Sequence, residues 1–398
     1  MLANEALKVD VLIVGGGIAG LWLLAELRAK GYQVILASDE LGKGQTIASQ
    51  GIIHGGTKYA LSGKLTGATL AIGDMPRLWR AALAGQGAVD LSAARKLTEA
   101  QLLWTSAGIG SRLTGFFASH AMQSRMEALP KTDYPELFQQ AAFHGSLYRL
   151  DEPVLDIPSV LQTLREQYLP YLLQVVAQQS ALQAENGEYV YNAVLADGSC
   201  LPIQAKRIIL TAGAGNAGLS QVLGKNTPPM QRRPLQMVLA RGHLPRLYAH
   251  ALGMSDKPRV TVTSHPAQNG QMVWYIGGQP AEQGVGKPAA HVIAATRQEL
   301  QALLPWMDFE HLQWATWEVD RAEGSQAEGS RPDKPIFAAV NNVIIAWPTK
   351  LAFAPMLSAQ LLQTLPSPQL HRQNDVLAFC PRPPVATPIW EQVVFGQY

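Results

Sequence analysis

The chain has 398 residues, enough to bury a large core and usually to divide into two domains. The formal net charge is only +2 and there is no basic run, so we expect no nucleic-acid-binding surface. Cys200 and Cys380 lie far apart, which predicts neither a disulfide framework nor a metal centre. No apolar run reaches the ~18 residues of a membrane span, so we expect a cytoplasmic protein without an integral membrane segment.

The N-terminal segment carries the strongest motif. A short apolar strand at 11–14 runs directly into a G-x-G-x-x-G pattern at 15–20, and an amphipathic helix is predicted over 21–30. In this pattern Gly15 permits a tight turn, Gly17 lets the backbone approach a pyrophosphate, and Gly20 allows close packing of helix on strand. The helix N-terminus then offers free N–H groups to phosphate. The alternative is an ordinary glycine-rich turn.

The second strand, predicted over 33–36 after Gly31 ends the helix, lacks one expected feature. An acidic residue usually stands at the end of this strand and holds the ribose hydroxyls. Ser38 occupies that position here, and Asp39 follows it. The ribose contact therefore falls to Asp39 after a small shift, or to a weaker bond from Ser38.

The rest of the chain mixes helical and strand patterns. A helix-rich, glycine-interrupted region is predicted to about 145, and a helix capped by Asp156 is predicted through Tyr168. The strands predicted at 259–264 and 272–276 form an antiparallel hairpin. In it Trp274 and Ile276 point to one face and Tyr275 to the other, and the sequence does not indicate which face packs on the core. The predicted strands lie at 173–177, 188–195, 207–210, 259–264, 272–276 and 343–346, and further helical stretches at 300–306 and 355–365.

A glycine- and hydroxyl-rich stretch at 42–59 indicates backbone close to a ligand. It includes His54-Gly55-Gly56-Thr57-Lys58-Tyr59, similar to an H-G-G-x-[RK]-Y segment that runs beside the flavin ring in known enzymes. Here the chain resembles the D-amino-acid oxidase-like flavoproteins, of the glycerol-3-phosphate dehydrogenase and glycine oxidase type. Segments 152–156, 207–216 and 329–335 are similar to later motifs of that family, in the same order.

The resemblance implies an α/β fold (α+β overall), with a Rossmann-like FAD-binding domain of 1–72, 150–223 and 325–398. An antiparallel-sheet substrate domain, 73–149 and 224–324, interrupts it. It implies a monomeric or homodimeric oxidase or dehydrogenase that transfers hydride from a C–H bond beside an amine or hydroxyl of a small, anionic substrate to flavin N5. The expected FAD contacts are Gly15, Gly17, Ile18, Ala19, Gly20, Ser38, Asp39, Gln45, Thr46, Ser49, Gln50, Gly51, His54, Gly55, Val176, Ala212, Gly213, Lys350 and Leu351.

Three residues are the candidates for chemistry. His54 is expected beside the flavin ring as a base, a covalent attachment point or a structural residue. Arg331 is expected to bind a substrate anion through its bidentate fork, or else to pair with Asp320 or Glu323. Arg321 has a weaker version of the same case. Lys350 lies in a loop, 346–355, that lacks the family's glycines, and is expected to stabilise negative charge on the flavin or to face solvent.

Two other classes of protein remain as alternatives. A non-catalytic flavin-binding or redox-sensing protein would explain the missing acid at 38 and the altered 346–355 loop. A nicotinamide-dependent dehydrogenase is disfavoured because the later segments follow the FAD-type order. No grouping of His, Cys and carboxylates in the sequence predicts a metal, and no G-x-S-x-G hydrolase motif is present.

Overall fold

The computed structural model describes residues 6–56, 72–106, 126–253, 258–326, 332–370 and 375–398. Two large sheets, each of eight strands, and a small two-stranded sheet organise these residues. None of the helices within the described ranges has the length and apolar character needed to cross a bilayer. The strands are β1 Leu7–Val14, β2 Val34–Ser38, β3 Lys96–Thr98, β4 Gln101–Thr105, β5 Met126–Ala128, β6 Ser146–Leu150, β7 Val154–Leu155, β8 Leu172–Gln174, β9 Ala181–Glu185, β10 Glu188–Val194, β11 Cys200–Leu210, β12 Met230–Gly242, β13 Ala249–Leu252, β14 Val260–Pro266, β15 Met272–Gly278, β16 Gln313–Gly324, β17 Ile336–Val340 and β18 Val343–Trp347.

The first sheet has the order β17-β18-β11-β1-β2-β8, with parallel pairing from β18 to β8. β1 lies at its centre and is buried at every position except Lys8, as expected for a parallel strand covered on both faces. β17 adds an antiparallel edge, and the β9–β10 hairpin extends from β11. A turn containing Asp197 and Gly198 joins β10 to β11, with Gly198 at φ +81°.

Helices cover one face of this sheet, and the β9–β10 hairpin packs on the other. Nine of the twelve residues of the first helix are buried, because it packs against both the sheet and a C-terminal helix. The sequence predicted an amphipathic helix with one exposed face, and this was wrong, because most of the helix surface is buried. Gly31 does follow the end of the helix, at φ +83°. The α-helices are α1 Ile18–Ala29, α2 Met75–Leu83, α3 Ile157–Tyr168, α4 Asn216–Leu219, α5 Gln279–Gln283, α6 Ala289–Leu303, α7 Ala354–Leu362 and α8 Ile389–Gln392.

The second sheet has the order β16-β12-β15-β14-β13-β4-β6-β5 and is antiparallel except between β13 and β4. The predicted hairpin is confirmed as β14 and β15. Trp274 and Ile276 join the core formed with α6, whereas Tyr275 joins the core shared with the first sheet. The face that carries Tyr275 and Gly277 is thus the one turned toward the first sheet.

Two local predictions need correction. The region 73–145 is not helix-rich in its described part, where α2 is followed mainly by β3 to β5 and short 3-10 turns. β4 is only five residues long, so its alternation is weak, and it is fixed by pairing with β6 and the distant β13. Asp156 does precede α3, but its carboxylate accepts a hydrogen bond from Arg95 Nε (2.8 Å) instead of capping the helix.

Candidate active site

The glycine loop joins β1 to α1 in a conformation that needs glycine. Gly15 has φ +117°, and a Cβ there would lie 2.6 Å from the backbone N of Ala212. A Cβ on Gly20 would lie 2.2 Å from Gly15 O, so α1 packs directly on the loop. Gly17 differs, because a Cβ there would meet only Thr46 Oγ1, at 3.2 Å. The space beside Gly17 is therefore open to a ligand.

Ser38 supports this loop from the end of β2. Its Oγ accepts a hydrogen bond from Gly16 N–H (3.1 Å) and donates one to Glu40 O (2.9 Å). The hydroxyl is thus engaged within the protein, which leaves Asp39 as the better candidate for the ribose contact. Asp39 accepts a hydrogen bond from Lys43 Nζ (2.8 Å), and this bond raises the pKa of Lys43.

A first cavity of about 410 Å³ opens over the glycine loop. Its walls also include the end of β2 and the turn at 211–215 after β11. Tyr191 lines it, and burial raises the pKa of this phenol to about 12. Ten of the expected FAD contacts line this cavity: Gly15, Gly17, Ile18, Ala19, Ser38, Asp39, Gln45, Thr46, Ala212 and Gly213.

A second cavity, of about 230 Å³, adjoins the first. It is roofed by the face of the second sheet that carries Gly277, and Gln50 Nε2 ties the two sides together by donating to Tyr275 O at 2.8 Å. The residues shared with the first cavity are Ile18, Gln45, Thr46 and Pro348. Six further expected contacts line only this cavity: Ser49, Gln50, Gly51, His54, Lys350 and Leu351.

Three expected FAD contacts lie outside both linings. Gly20 packs beneath the loop, as described above. Gly55 donates its N–H to Glu152 Oε1 (2.7 Å). Val176 donates its N–H to Val194 O (2.7 Å), while its neighbours Val175 and Ala177 line the first cavity.

Cationic side chains line the second cavity. Arg321 projects from β16, and its Nε donates a hydrogen bond to Arg233 O at 2.9 Å. Lys350 Nζ lies 4.9 Å from the centre of the Phe353 ring. Arg331 and Lys58 lie outside the described residues. Glu323, weighed as a partner of Arg331, is buried beside Arg233, with an oxygen 3.2 Å from its Nη1.

His54 belongs to a buried cluster with Glu152 and His250 that the sequence did not predict. His54 Nδ1 lies 3.2 Å from Glu152 Oε2, and the His54 ring stacks on His250 with 6.0 Å between centroids. One potential ligand atom from each of these three residues lies within 4.8 Å of the others. The residues are about 100 positions apart, and no local motif links them.

The cavity walls contain buried polar atoms that the described protein leaves without a hydrogen-bond partner. They are Ser49 Oγ, Thr349 Oγ1 and Trp347 Nε1. Thr349 also has φ +64°, a conformation that a β-branched residue rarely adopts and that cofactor or substrate sites often impose. Unpaired buried polar atoms are costly unless a ligand or water satisfies them. Together with the open space at Gly17, they fit a long, polar cofactor such as FAD.

A mainly parallel sheet with a glycine-rich turn after its central strand, facing an antiparallel sheet, is the arrangement typical of dinucleotide-dependent oxidoreductases. Residues 10–348 match the DAO family of FAD-dependent oxidoreductases, and the chain belongs to that family. It is therefore an FAD-dependent enzyme, and no finding supports the non-catalytic alternative.

The chain is similar along its whole length to a protein from Pseudomonas aeruginosa, the probable FAD-dependent oxidoreductase PA4991. They are 46% identical over 394 residues, which cover 97% of this chain and 98% of that protein. The crystal structure of PA4991 superposes with a TM-score of 0.82 and 41% identity, over 98% of this chain and 99% of that one.

More distant structures share the fold. Glycine oxidase from Geobacillus kaustophilus has a TM-score of 0.63 at 16% identity and covers 92% of this chain and 97% of its own. L-alpha-glycerophosphate oxidase from Mycoplasma pneumoniae, with FAD bound, has a TM-score of 0.62 at 14% identity, covering 92% and 98%.

Proposed function

We propose that this enzyme oxidises a C–H bond next to an amine or hydroxyl group of a small anionic substrate, with hydride transfer to N5 of FAD. The charge of the second cavity carries the proposal. Arg321 and Lys350 line it, and no carboxylate does among the described residues. A guanidinium binds a carboxylate or phosphate through two parallel hydrogen bonds.

The FAD itself supplies the hydride acceptor. We propose that residues of the first cavity hold its dinucleotide part and that His54, Gln50 and Lys350 lie near its reactive ring. Segments 1–72, 150–223 and 325–398 would then form the FAD-binding domain, and 73–149 and 224–324 the substrate domain. Membership of the two sheets supports this division, since β12 to β16 belong to the second sheet and β17 and β18 to the first.

A panel of anaerobic reductions tests the reaction. Amino acids, N-methyl amino acids, 2-hydroxy acids and glycerol 3-phosphate are each added to the holoenzyme, and loss of the flavin band near ~450 nm is followed. We expect one anionic class to bleach the flavin and its uncharged amide or ester analogue to do so far more slowly. Equal rates for acid and amide would refute the anion site, and a flavin that only dithionite reduces would favour the non-catalytic alternative.

The anion site itself is tested with Arg321→Lys. This change keeps the charge but removes the bidentate fork, so we expect KM for the anionic substrate to rise about tenfold or more, with kcat less affected and FAD retained. Arg149→Lys, on an exposed arginine of β6 that lines neither cavity, is the matched control and should behave as the wild type. A wild-type KM in Arg321→Lys would assign Arg321 to structure.

A further inference from the structure

Glu152 is a buried carboxylate that the reaction described above does not use. Its side chain is 2% exposed, and it lies just after β6. Oε1 accepts a hydrogen bond from Gly55 N–H at 2.7 Å, while Oε2 lies 3.2 Å from His54 Nδ1 and 3.4 Å from Nε2 of the fully buried Gln101. A buried carboxylate is tolerated when it is surrounded by donors in this way. Its two oxygens are thus directed at N–H groups of the chain.

This arrangement fixes which nitrogen of His54 carries the proton. An ionised carboxylate only accepts hydrogen bonds, so the nitrogen that faces it must donate. Nδ1 therefore carries the hydrogen in the neutral ring, and Nε2 is left as the acceptor. His54 lines the second cavity, whereas Glu152 does not. The same division of roles, in which a buried carboxylate holds a histidine in one tautomer, occurs in hydrolytic triads.

We propose that Glu152 is a positioning residue that holds His54 as the Nδ1–H tautomer, so that His54 Nε2 takes the proton released by the substrate during oxidation. The inference rests on the proposed function. FAD, when bound, would supply the acceptor for the electron pair of the substrate C–H bond, taken up as hydride. The N–H or O–H bond on the neighbouring atom breaks, and its electron pair forms the new C=N or C=O bond. The proton passes to His54, and the Glu152 carboxylate stabilises the resulting imidazolium.

The same three side chains also have the donor types of a metal site, with His250 as the third member. The hydrogen bonds favour the positioning role. Glu152 Oε2 already lies within hydrogen-bond distance of His54 and Gln101, and His250 Nδ1 lies 2.8 Å from Thr261 Oγ1. A metal bound at His54 Nδ1 would require loss of the proton that faces the carboxylate.

The tautomer is measured directly by 15N NMR of the holoenzyme labelled at histidine, with His54 assigned from a His54→Gln sample. We expect the wild type to show Nδ1 protonated and Nε2 unprotonated. In Glu152→Gln the amide N–H faces Nδ1, so the proton should move from Nδ1 to Nε2. A wild-type spectrum with the proton on Nε2 overturns the proposal, whether or not the variant folds.

Kinetics with a substrate from the panel give the second measurement. In Glu152→Gln the limiting rate of flavin reduction should fall about 10²-fold or more, while substrate Kd changes little. Glu152→Asp, which keeps the charge, should keep the wild-type tautomer. Asp151→Asn is the matched control, because Asp151 is the neighbouring acid in the chain but is exposed and pairs with Arg80 (2.5 Å). It should leave both the spectrum and the rate unchanged.

The outcomes separate this inference from the proposed function. A flavin that no panel compound reduces, with the expected tautomers, would refute the function and leave the positioning role of Glu152 intact. Active enzyme with a wild-type rate in Glu152→Gln would refute only the inference. One equivalent of bound metal in purified holoenzyme, absent from Glu152→Gln, would also overturn it and assign the cluster to metal binding.

Discussion

Gly17 and Gly20 stand three residues apart in one motif, and the structure predicts opposite consequences for the same substitution. Gly17 has φ −71° and ψ 176°, which any residue adopts, and a new Cβ would meet only Thr46 Oγ1, at 3.2 Å. Gly17→Ala should therefore fold normally. Its methyl group would stand where the backbone approaches the FAD phosphates. Loss of one charge-assisted hydrogen bond, about 1.5–3 kcal/mol, would weaken FAD binding about 10- to 150-fold.

Gly20→Ala should instead destabilise the fold. Its Cβ would lie 2.2 Å from Gly15 O and 2.8 Å from Thr211 Oγ1, so backbone must move by roughly 1 Å. Overpacking of this kind costs up to about 3 kcal/mol, and alanine returns about 1 kcal/mol of helix propensity. The net loss of about 2 kcal/mol corresponds to roughly 2 °C in the Tm of an apoprotein of 398 residues.

Thermal unfolding of the apoproteins and fluorescence titration with FAD measure both effects. The reasoning is refuted if Gly17→Ala binds FAD as the wild type does, or if Gly20→Ala apoprotein melts at the wild-type temperature.

Two further predictions concern charge. Lys350→Met should lower the two-electron potential of the bound flavin by about 20–40 mV, equivalent to ~1–2 kcal/mol, because a cation near the ring favours the reduced, anionic state. A potentiometric titration that returns the wild-type value would place Lys350 away from the flavin. Burial lowers the pKa of His265 to about 3, so the stability of its neutral form is present above the unfolded pKa of ~6.5 and is lost as pH falls toward 3. Urea unfolding of the wild type should therefore show a loss of about 2 kcal/mol in the free energy of unfolding between pH 7 and pH 5. His265→Phe should abolish this loss while keeping a ring against Trp390, whose ring centroid lies 4.2 Å from that of His265. An unchanged dependence of stability on pH in that variant would refute the assignment.

The features that could be predicted from the sequence are those determined by neighbouring residues. The β1–loop–α1 unit and the β14–β15 hairpin follow from local glycines, alternation and turn residues, and both are confirmed. β4 could not be predicted, because its partner β13 lies more than 140 positions away. The same limit applies to Glu152, which the sequence marked only as the first residue of the family-like segment 152–156 and which the fold places against His54.

Ser38 shows a subtler limit. Its position at the end of β2 was identified correctly, but its hydroxyl binds the glycine loop at Gly16 rather than standing open for a ribose. Sequence spacing locates a residue along a strand, but it does not show which of two nearby groups receives the hydrogen bond. Asp39, one position on, lines the first cavity and is therefore the better candidate for the ribose contact.

β16 explains how the two cavities acquire different chemistry. Successive side chains of a strand point to opposite faces. Val319 and Arg321 line the second cavity, while Asp320 and Ala322 line the first. Lys350 approaches the second cavity from the loop after β18, in the other sheet. An anion bound by both Arg321 and Lys350 would therefore be held between the two sheets, so its position relative to the flavin would depend on how the sheets pack and not on either sheet alone.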